Sequence, residues 1–346
     1  MTARKDPLDR ISDLSYEALA AEAQHVRARI DRFRTALGRH FVAKQSIVDL
    51  MCVGAIAQEP VLLVGPPGTA KSELVLKFKD ALGLEEGDYF EYMLTRFTEP
   101  SEVIGPIDLD ALRAGRYVRR HHGKLPDARV VFLDEIFKSN SAILNALLTL
   151  INERKFYQDG RPLPVKLKIL FAATNEVPPH AELGALRDRF CLKVPCGPVQ
   201  DTHFLELLDL GLASQVARDL GQKPWAEGHA TLVDFLKAHR YLTLQLASAT
   251  SGVDGAPQGD RARFFPEALL KELRRLIRTL VREEKVFVSD RKIVKLYRLL
   301  RTRAWLLHGG VVEKEDLLLL AYLGESADEL ERLAERVPKL LGIDAP

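Results

Sequence analysis

The chain has 346 residues, 47% of them hydrophobic and 28% charged, with a formal net charge of +2. That is the balance of a soluble globular protein, long enough for two or three domains whose cores need neither disulfide nor metal. It excludes a strongly nucleic-acid-seeking or acid-seeking surface; no apolar run reaches the length of a membrane span, and no apolar run follows Met1-Thr2-Ala3-Arg4-Lys5-Asp6-Pro7 as a secretory signal requires, so the expected location is the cytoplasm.

Leu14, Leu19, Ala20, Val26, Ile30, Phe33 and Leu37 recur at helical spacing and predict an N-terminal helical segment within residues 1–37, stopped by Gly38. A second helix is expected over residues 44–56, ended by Glu59-Pro60. Residues 61–64, Val-Leu-Leu-Val, read as a strand buried on both faces. Further strands are expected at 89–94, 130–133 and 167–173, with a strong helix at 142–151. Strands alternating with helices predict an α/β unit over residues 38–199, a parallel sheet with helices on both faces in three αβα layers. Beyond Pro198 no strong strand is evident. Residues 200–264 are expected to be variable and partly flexible, above all 247–259, rich in Ala, Ser, Gly and Thr. Amphipathic helices at 266–284, 289–307 and 314–342 predict a small all-α unit over 265–346. Cys52, Cys191 and Cys196 are an odd, sparse set, suited to small buried residues in a reducing compartment and too few for a zinc site.

Gly65-Pro66-Pro67-Gly68-Thr69-Ala70-Lys71-Ser72 follows the first strand and opens a helix, the context a phosphate-binding loop requires. Glycines let the backbone curl so that its N–H groups point at phosphate, and the helix N-terminus adds positive charge. Lys71 would reach the terminal phosphates of ATP, and the Ser72 hydroxyl would hold Mg²⁺. The strict pattern has glycine where this chain has Ala70. Alanine is small, and a residue entering a right-handed helix needs no positive φ, so the change to Ala70 is tolerable if that backbone is already helical.

The strand at 130–133 delivers Asp134-Glu135 at its C-terminal end, the edge where ligands sit on a parallel sheet. Asp134 would take Mg²⁺, and Glu135 would act as general base on the attacking water. Adjacent carboxylates at a strand end also serve as a plain helix cap. The next strand ends in Ala172-Ala173-Thr174-Asn175-Glu176, where Asn175 can bind both the attacking water and the γ-phosphate.

In this order and spacing the three motifs resemble an AAA+ P-loop NTPase. Phe132-Leu133-Asp134-Glu135-Ile136-Phe137-Lys138, Ala142-Ile143-Leu144-Asn145-Ala146-Leu147-Leu148, Ile151-Asn152-Glu153-Arg154 and the segment from Thr95 to Pro106 are similar to the MoxR family, and within it to the RavA-like branch. The resemblance covers residues 30–200 well and 285–345 less closely.

The resemblance implies a small helical lid after the α/β core, with ATP between core and lid, and insertions facing a ring axis at 97–125 and 155–166, the second turning at Asp159-Gly160. In Leu186-Arg187-Asp188-Arg189-Phe190 it implies an arginine finger for the neighbouring subunit, Arg189 with Arg187 as the alternative. It places a second phosphate sensor on the lid, Arg291 with Lys292 as the alternative, and adenine near His40, Phe41 and Val42. Self-association into a ring, six subunits being expected, a protein client and a von Willebrand factor A domain partner follow from the family, and the discoidal domain of RavA-type proteins is not expected here. The basic run Arg116, Arg119, Arg120, His121, His122 and Lys124 reads as a solvated hairpin tip, so a nucleic-acid partner is not expected. A nucleotide-gated scaffold with slow hydrolysis and a DNA-remodelling motor stand as alternatives to a client-remodelling ATPase.

Overall fold

The computed structural model describes residues 8–85, 87–178, 183–249 and 261–343. The chain begins with α1 (Tyr16–Gly38), started by Ser15, whose hydroxyl accepts from the Ala18 N–H, and α2 (Gln45–Ala57). The core follows as β1 (Val61–Val64), α3 (Lys71–Leu82), β2 (Tyr89–Met93), short α4 (Pro100–Val103) and α5 (Leu109–Arg113), β3 (Val130–Asp134), α6 (Ser141–Glu153), β4 (Lys155–Gln158), β5 (Arg161–Pro164), β6 (Ile169–Thr174), α7 (Gly184–Arg187) and β7 (Leu192–Pro195). Then come α8 (Phe204–Asp219), α9 (Leu232–Ala249), short α10 (Arg261–Phe264), α11 (Glu267–Arg282), α12 (Asp290–His308) and, after a 3-10 stretch at Lys314–Leu323, α13 (Ala327–Leu341).

Five strands form one parallel sheet in the order β2-β3-β6-β1-β7. Successive side chains on a strand point to opposite faces. Val61, Leu63, Phe132 and Phe171 therefore enter the core under α1, α2, α3 and α9, while Leu62, Val64, Leu133 and Ala172 enter the core under α6. Both faces are covered, which is why these strands read as unbroken apolar runs. The three-layer α/β architecture expected from the sequence is the one observed.

The structure departs from that reading in four places. The edge strand β7 was not foreseen, because Lys193 and Pro195 interrupt its apolar signal; an edge strand tolerates a proline, and Lys193 lies fully buried with its ammonium on Phe190 O at 2.9 Å and Glu325 at 3.3 Å. The helix expected over 314–342 is broken at Gly324. A Cβ there would lie 2.8 Å from the Leu330 nitrogen, and Ser326 caps a new helix. The break leaves Glu325 inside the fold, on Lys193 and Lys292. Burial pushes the Lys193 ammonium down to about 8 against the opposing pull of Glu325.

The third departure is the stretch expected to be variable and partly flexible. It carries α8 and α9, and α9 is an integral part of the outer layer: Phe235 meets Phe33 edge-on, Tyr241 stacks on Tyr16, and Asp234 pairs with Arg29. The expected loop at 247–259 begins with the last turn of α9, and its remainder lies outside the described residues.

The last concerns the lid. Its apolar residues, among them Leu276, Leu299 and Leu320, are continuous with the core of α1, α2 and α9. Lys295 and Arg298 of α12 pair with Glu59, at the foot of β1, at 2.7 and 3.4 Å. The lid is thus fastened to the outer layer and to the N-terminal end of the sheet. All three cysteines are free and buried, as expected. No helix among the described residues is long and apolar enough to cross a membrane.

Candidate active site

The parallel sheet brings the ends of β1, β3 and β6 to one edge. Val64 is level with Thr174, and Leu133 with Ala172, so the loops after these strands converge. The glycine-rich loop leaves β1 in contact with the next strands: Gly65 N–H donates to Thr174 O, and a Cβ on Gly65 would lie 2.1 Å from Cys196 O. Only glycine fits that approach. Gly68 takes φ +81° and Ala70 φ +65°.

Ala70 corrects the helical backbone expected for it. It stands in the left-handed region immediately before α3 and is the N-cap residue. A Cβ in that conformation costs on the order of 1 kcal/mol, which explains why glycine is the usual residue there. The loop holds this shape despite the alanine. Thr69 Oγ1 donates to Pro66 O at 2.9 Å, and the first helical bond of α3 is Leu74 N–H to Ala70 O at 2.9 Å. Pro67 sits at the exposed crest of the loop.

Four side chains join across this edge. Lys71, 7% exposed, donates to Gly65 O at 2.7 Å, Pro66 O at 2.9 Å and Asn175 Oδ1 at 3.1 Å. Asn175 Nδ2 donates to Glu135 Oε1, and Lys138 pairs with that same oxygen at 3.1 Å. The other carboxylate oxygen, Glu135 Oε2, is buried without a partner. Beside them Ser72 Oγ lies 3.1 Å from Asp134 Oδ2. An orphaned buried carboxylate oxygen is costly unless a ligand or water is to use it. Two hard oxygens at the mouth of a helix N-terminus suit a magnesium ion that takes its remaining ligands from phosphate and water. The residues present therefore fit Mg·ATP.

The residues expected on the adenine side share one cavity with the phosphate loop. His40, Phe41 and Val42 line a cavity of about 260 Å³ with Gly68, Thr69 and Ala70. Its far wall is α8, through Leu207, Leu210, Gly211 and Ser214. Lys77 crosses the cavity between the rings of Phe41 and Trp225, at 4.7 and 4.8 Å. Burial beside the Lys77 cation holds His40 below its usual range.

The two arginines lie elsewhere. Arg189 and Arg291 line a second cavity, of about 580 Å³, with Glu59, Pro60, Arg154, His239, Lys295 and Arg298. Those residues surround the start of β1, whereas the phosphate loop follows its end; at about 3.3 Å per residue the two sites are roughly 15 Å apart. Arg291 therefore lies away from the phosphate edge of its own chain, and no described lid residue lines the cavity beside the phosphate loop, where the resemblance implied a site between core and lid. Lys292 is fully buried, paired with Glu325 and 3.6 Å from Asp188, so it is held within the fold. Arg187 is likewise tied inward, to Pro178 O at 2.8 Å and toward Glu325 at 3.7 Å. Among the described residues the Arg189 side chain pairs with Asp188, at 3.8 Å, and its Nε is buried without a partner. His239, pushed down to about 4 by burial, adds no charge near neutral pH, so the cavity's cations are arginines and a lysine.

Sequence reasoning missed Lys138, although it stands three residues beyond Glu135 in a one-turn helix (Ile136–Lys138) that places both on one side. It also missed the contribution of α8, because attention to strand ends finds phosphate contacts and not the wall opposite the base.

A glycine-rich loop before a helix, paired acids on the adjacent strand and a polar sensor on the next, on a parallel sheet followed by a helical lid, define a P-loop NTPase of the AAA+ type. A family model described as the MoxR domain in MoxR-vWA-beta-propeller ternary systems matches residues 28–230, and an AAA lid domain model matches residues 267–336. The chain belongs to the MoxR family of AAA+ ATPases. Two uncharacterized proteins of Methanocaldococcus jannaschii are each 38% identical to it, over 183 and 166 residues, covering 52% and 48% of this chain and 48% and 43% of theirs. The chaperone MoxR1 of Mycobacterium tuberculosis is 29% identical over 185 residues, 52% of this chain and 46% of its own. The matched stretch is thus less than half of each relative's length. The crystal structure of a candidate ATPase from Cytophaga hutchinsonii shares the fold with a TM-score of 0.68 at 16% identity, over 94% of this chain and 97% of its own.

Proposed function

We propose that the chain binds Mg·ATP at the C-terminal edge of its sheet and hydrolyses it with an arginine from a second copy, as a subunit of a ring that remodels or activates a protein client. The single observation that carries this reading is the hydrogen-bonded chain Lys71–Asn175–Glu135, which leaves one buried carboxylate oxygen without a partner.

Gly68, Thr69, Ala70, Lys71 and Ser72 hold the phosphates, with Pro67 at the loop's crest. His40, Phe41 and Val42 receive the adenine. Ser72 and Asp134 would hold Mg²⁺, which supplies positive charge to the phosphate oxygens. Glu135 Oε2 takes the proton of the attacking water, while Asn175 orients that water. Lys71 turns from its loop carbonyls to the terminal phosphates. Arg189, with Arg291 beside it, serves a neighbour's γ-phosphate, since neither reaches its own.

Head-to-tail delivery of this kind generates a closed ring or an open spiral, and six subunits is the number the family implies. The name of the matching family model and that of the mycobacterial relative support chaperone-type work beside a von Willebrand factor A domain partner. A near-neutral charge favours protein over nucleic acid as client. Placement near the RavA-like branch rests on the motifs quoted above, and a cytoplasmic site of action accords with the family. Glu135→Gln is the direct test: it should retain Mg·ATP binding and lose steady turnover by at least about a hundredfold, and unchanged turnover removes Glu135 as the base.

A further inference from the structure

Helix α8 has two apolar faces and one covering. At 100° per residue, Leu207, Leu210, Gly211 and Ser214 cluster on one side and close the adenine-side cavity. Leu205, Leu208, Leu212 and Val216 fall on the opposite side, and all four are exposed, Leu205 at 74% and Leu212 at 61%. A helix apolar all round is one that is buried all round. Its outer stripe is larger than the single scattered apolar residues that a solvated surface carries.

The other end of the molecule shows a matching surface. On α12, Val294 is 65% exposed on the same helical side as Arg291, Lys295 and Arg298, and Phe287 stands exposed just before the helix. The charges around the two surfaces are opposite. Glu206, Asp209 and Asp219 flank the α8 stripe with only Arg218 among them on that helix, whereas the α12 surface borders the cavity of Arg189 and Arg291.

We infer that the outer stripe of α8 is seated, in the assembled protein, against the Phe287–Val294 edge of a second copy of this chain. The inference rests on the reading of Arg189 as an arginine that acts on a neighbour: a copy that brings its Arg189 cavity to this nucleotide cleft meets the cleft's outer wall, and that wall is α8. The two surfaces are different, so the contact is head-to-tail and repeats from copy to copy. Opposite charge sets its direction, and apolar contact supplies its strength.

Two double variants test this: Leu208→Glu with Leu212→Glu on α8, and Phe287→Glu with Val294→Glu at the lid. Assembly is followed by sedimentation with Mg·ATP at micromolar concentration in the Glu135→Gln background. Each variant alone should associate at least about tenfold more weakly than the parent, since a buried unpaired carboxylate opposes contact. An equimolar mixture should form dimers and nothing larger, because only one intact α8 stripe meets one intact lid edge. Wild-type assembly by either variant, or a mixture that stays monomeric, overturns the inference. Binding of a fluorescent ATP analogue should match the parent and shows that the α8 variant is folded; if it fails, Leu205→Gln with Leu212→Gln takes its place in the same assay. The arginine reading fails separately. Arg189→Ala and Lys71→Ala subunits that never restore turnover when mixed remove the acting arginine, whatever the stripe variants do to assembly.

Discussion

The two ends of the parallel sheet are built to opposite rules. At the C-terminal edge Lys71, Asn175, Glu135 and Lys138 form one chain of contacts, with Ser72 and Asp134 paired alongside. At the N-terminal edge Arg189 and Arg291 line a broad cavity, and Arg189 has only a loose acid partner. One end has the phosphate loop and both carboxylates, with Arg96 on the wall of the cleft beside Glu135; the other has Arg189 and Arg291 and no phosphate loop. About 15 Å of strand separates them, so in the proposed function the two ends complete each other across copies.

Arg189→Ala is the harshest way to break this comparison. Turnover should fall on the order of a thousandfold while ATP binding persists, the usual size of a lost arginine finger. Mixing these subunits with Lys71→Ala subunits should recover part of the activity, because each variant spoils a different end. Recovery absent at every mixing ratio would mean that the two ends belong to separate functions. Arg187→Ala, by contrast, should lower the unfolding midpoint more than it lowers turnover, since Arg187 is bound to Pro178 and Glu325.

Lys138 sharpens the account of the phosphate edge. It shares Glu135 Oε1 with Asn175, which fixes Oε2 as the free oxygen. Lys138→Met should lower kcat by about tenfold, roughly 1.4 kcal/mol, with KM little changed. Lys138→Arg should recover most of the loss. A change confined to KM would make Lys138 a binding residue instead.

The smallest effect concerns Ala70. Replacing it with glycine removes the left-handed strain at the entry to α3 and should stabilise the protein by about 1 kcal/mol, seen as a higher denaturation midpoint. A lower midpoint would mean that the loop gains more from a restricted backbone than it loses to the Cβ.

The sheet and the phosphate edge were legible because their signals are local. Residues 61–64 and 130–133 are unbroken apolar runs, and the residues that follow them bear the chemistry. Ala70 was misread because the residue before α3 was taken as already helical, whereas the loop turns left-handed there before the helix begins. The lid was misplaced for a different reason. That Lys295 and Arg298 pair with Glu59, some 240 residues earlier, is fixed by tertiary contacts that no spacing along α12 encodes. Lys193 and Glu325 show the same limit, since each looks like a surface charge until β7 buries the lysine and the break at Gly324 brings the half-buried glutamate onto it.

The continuity of the lid's apolar interior with α1, α2 and α9 has a mechanical corollary. A joint filled by leucines and tied by Lys295 and Arg298 on Glu59 offers no seam for a hinge, and close-packed interiors transmit displacement rather than absorb it. Lid and outer layer then travel as a single lever, so that, in the proposed ring, force from a cleaved phosphate would pass from molecule to molecule instead of being spent in bending any one of them.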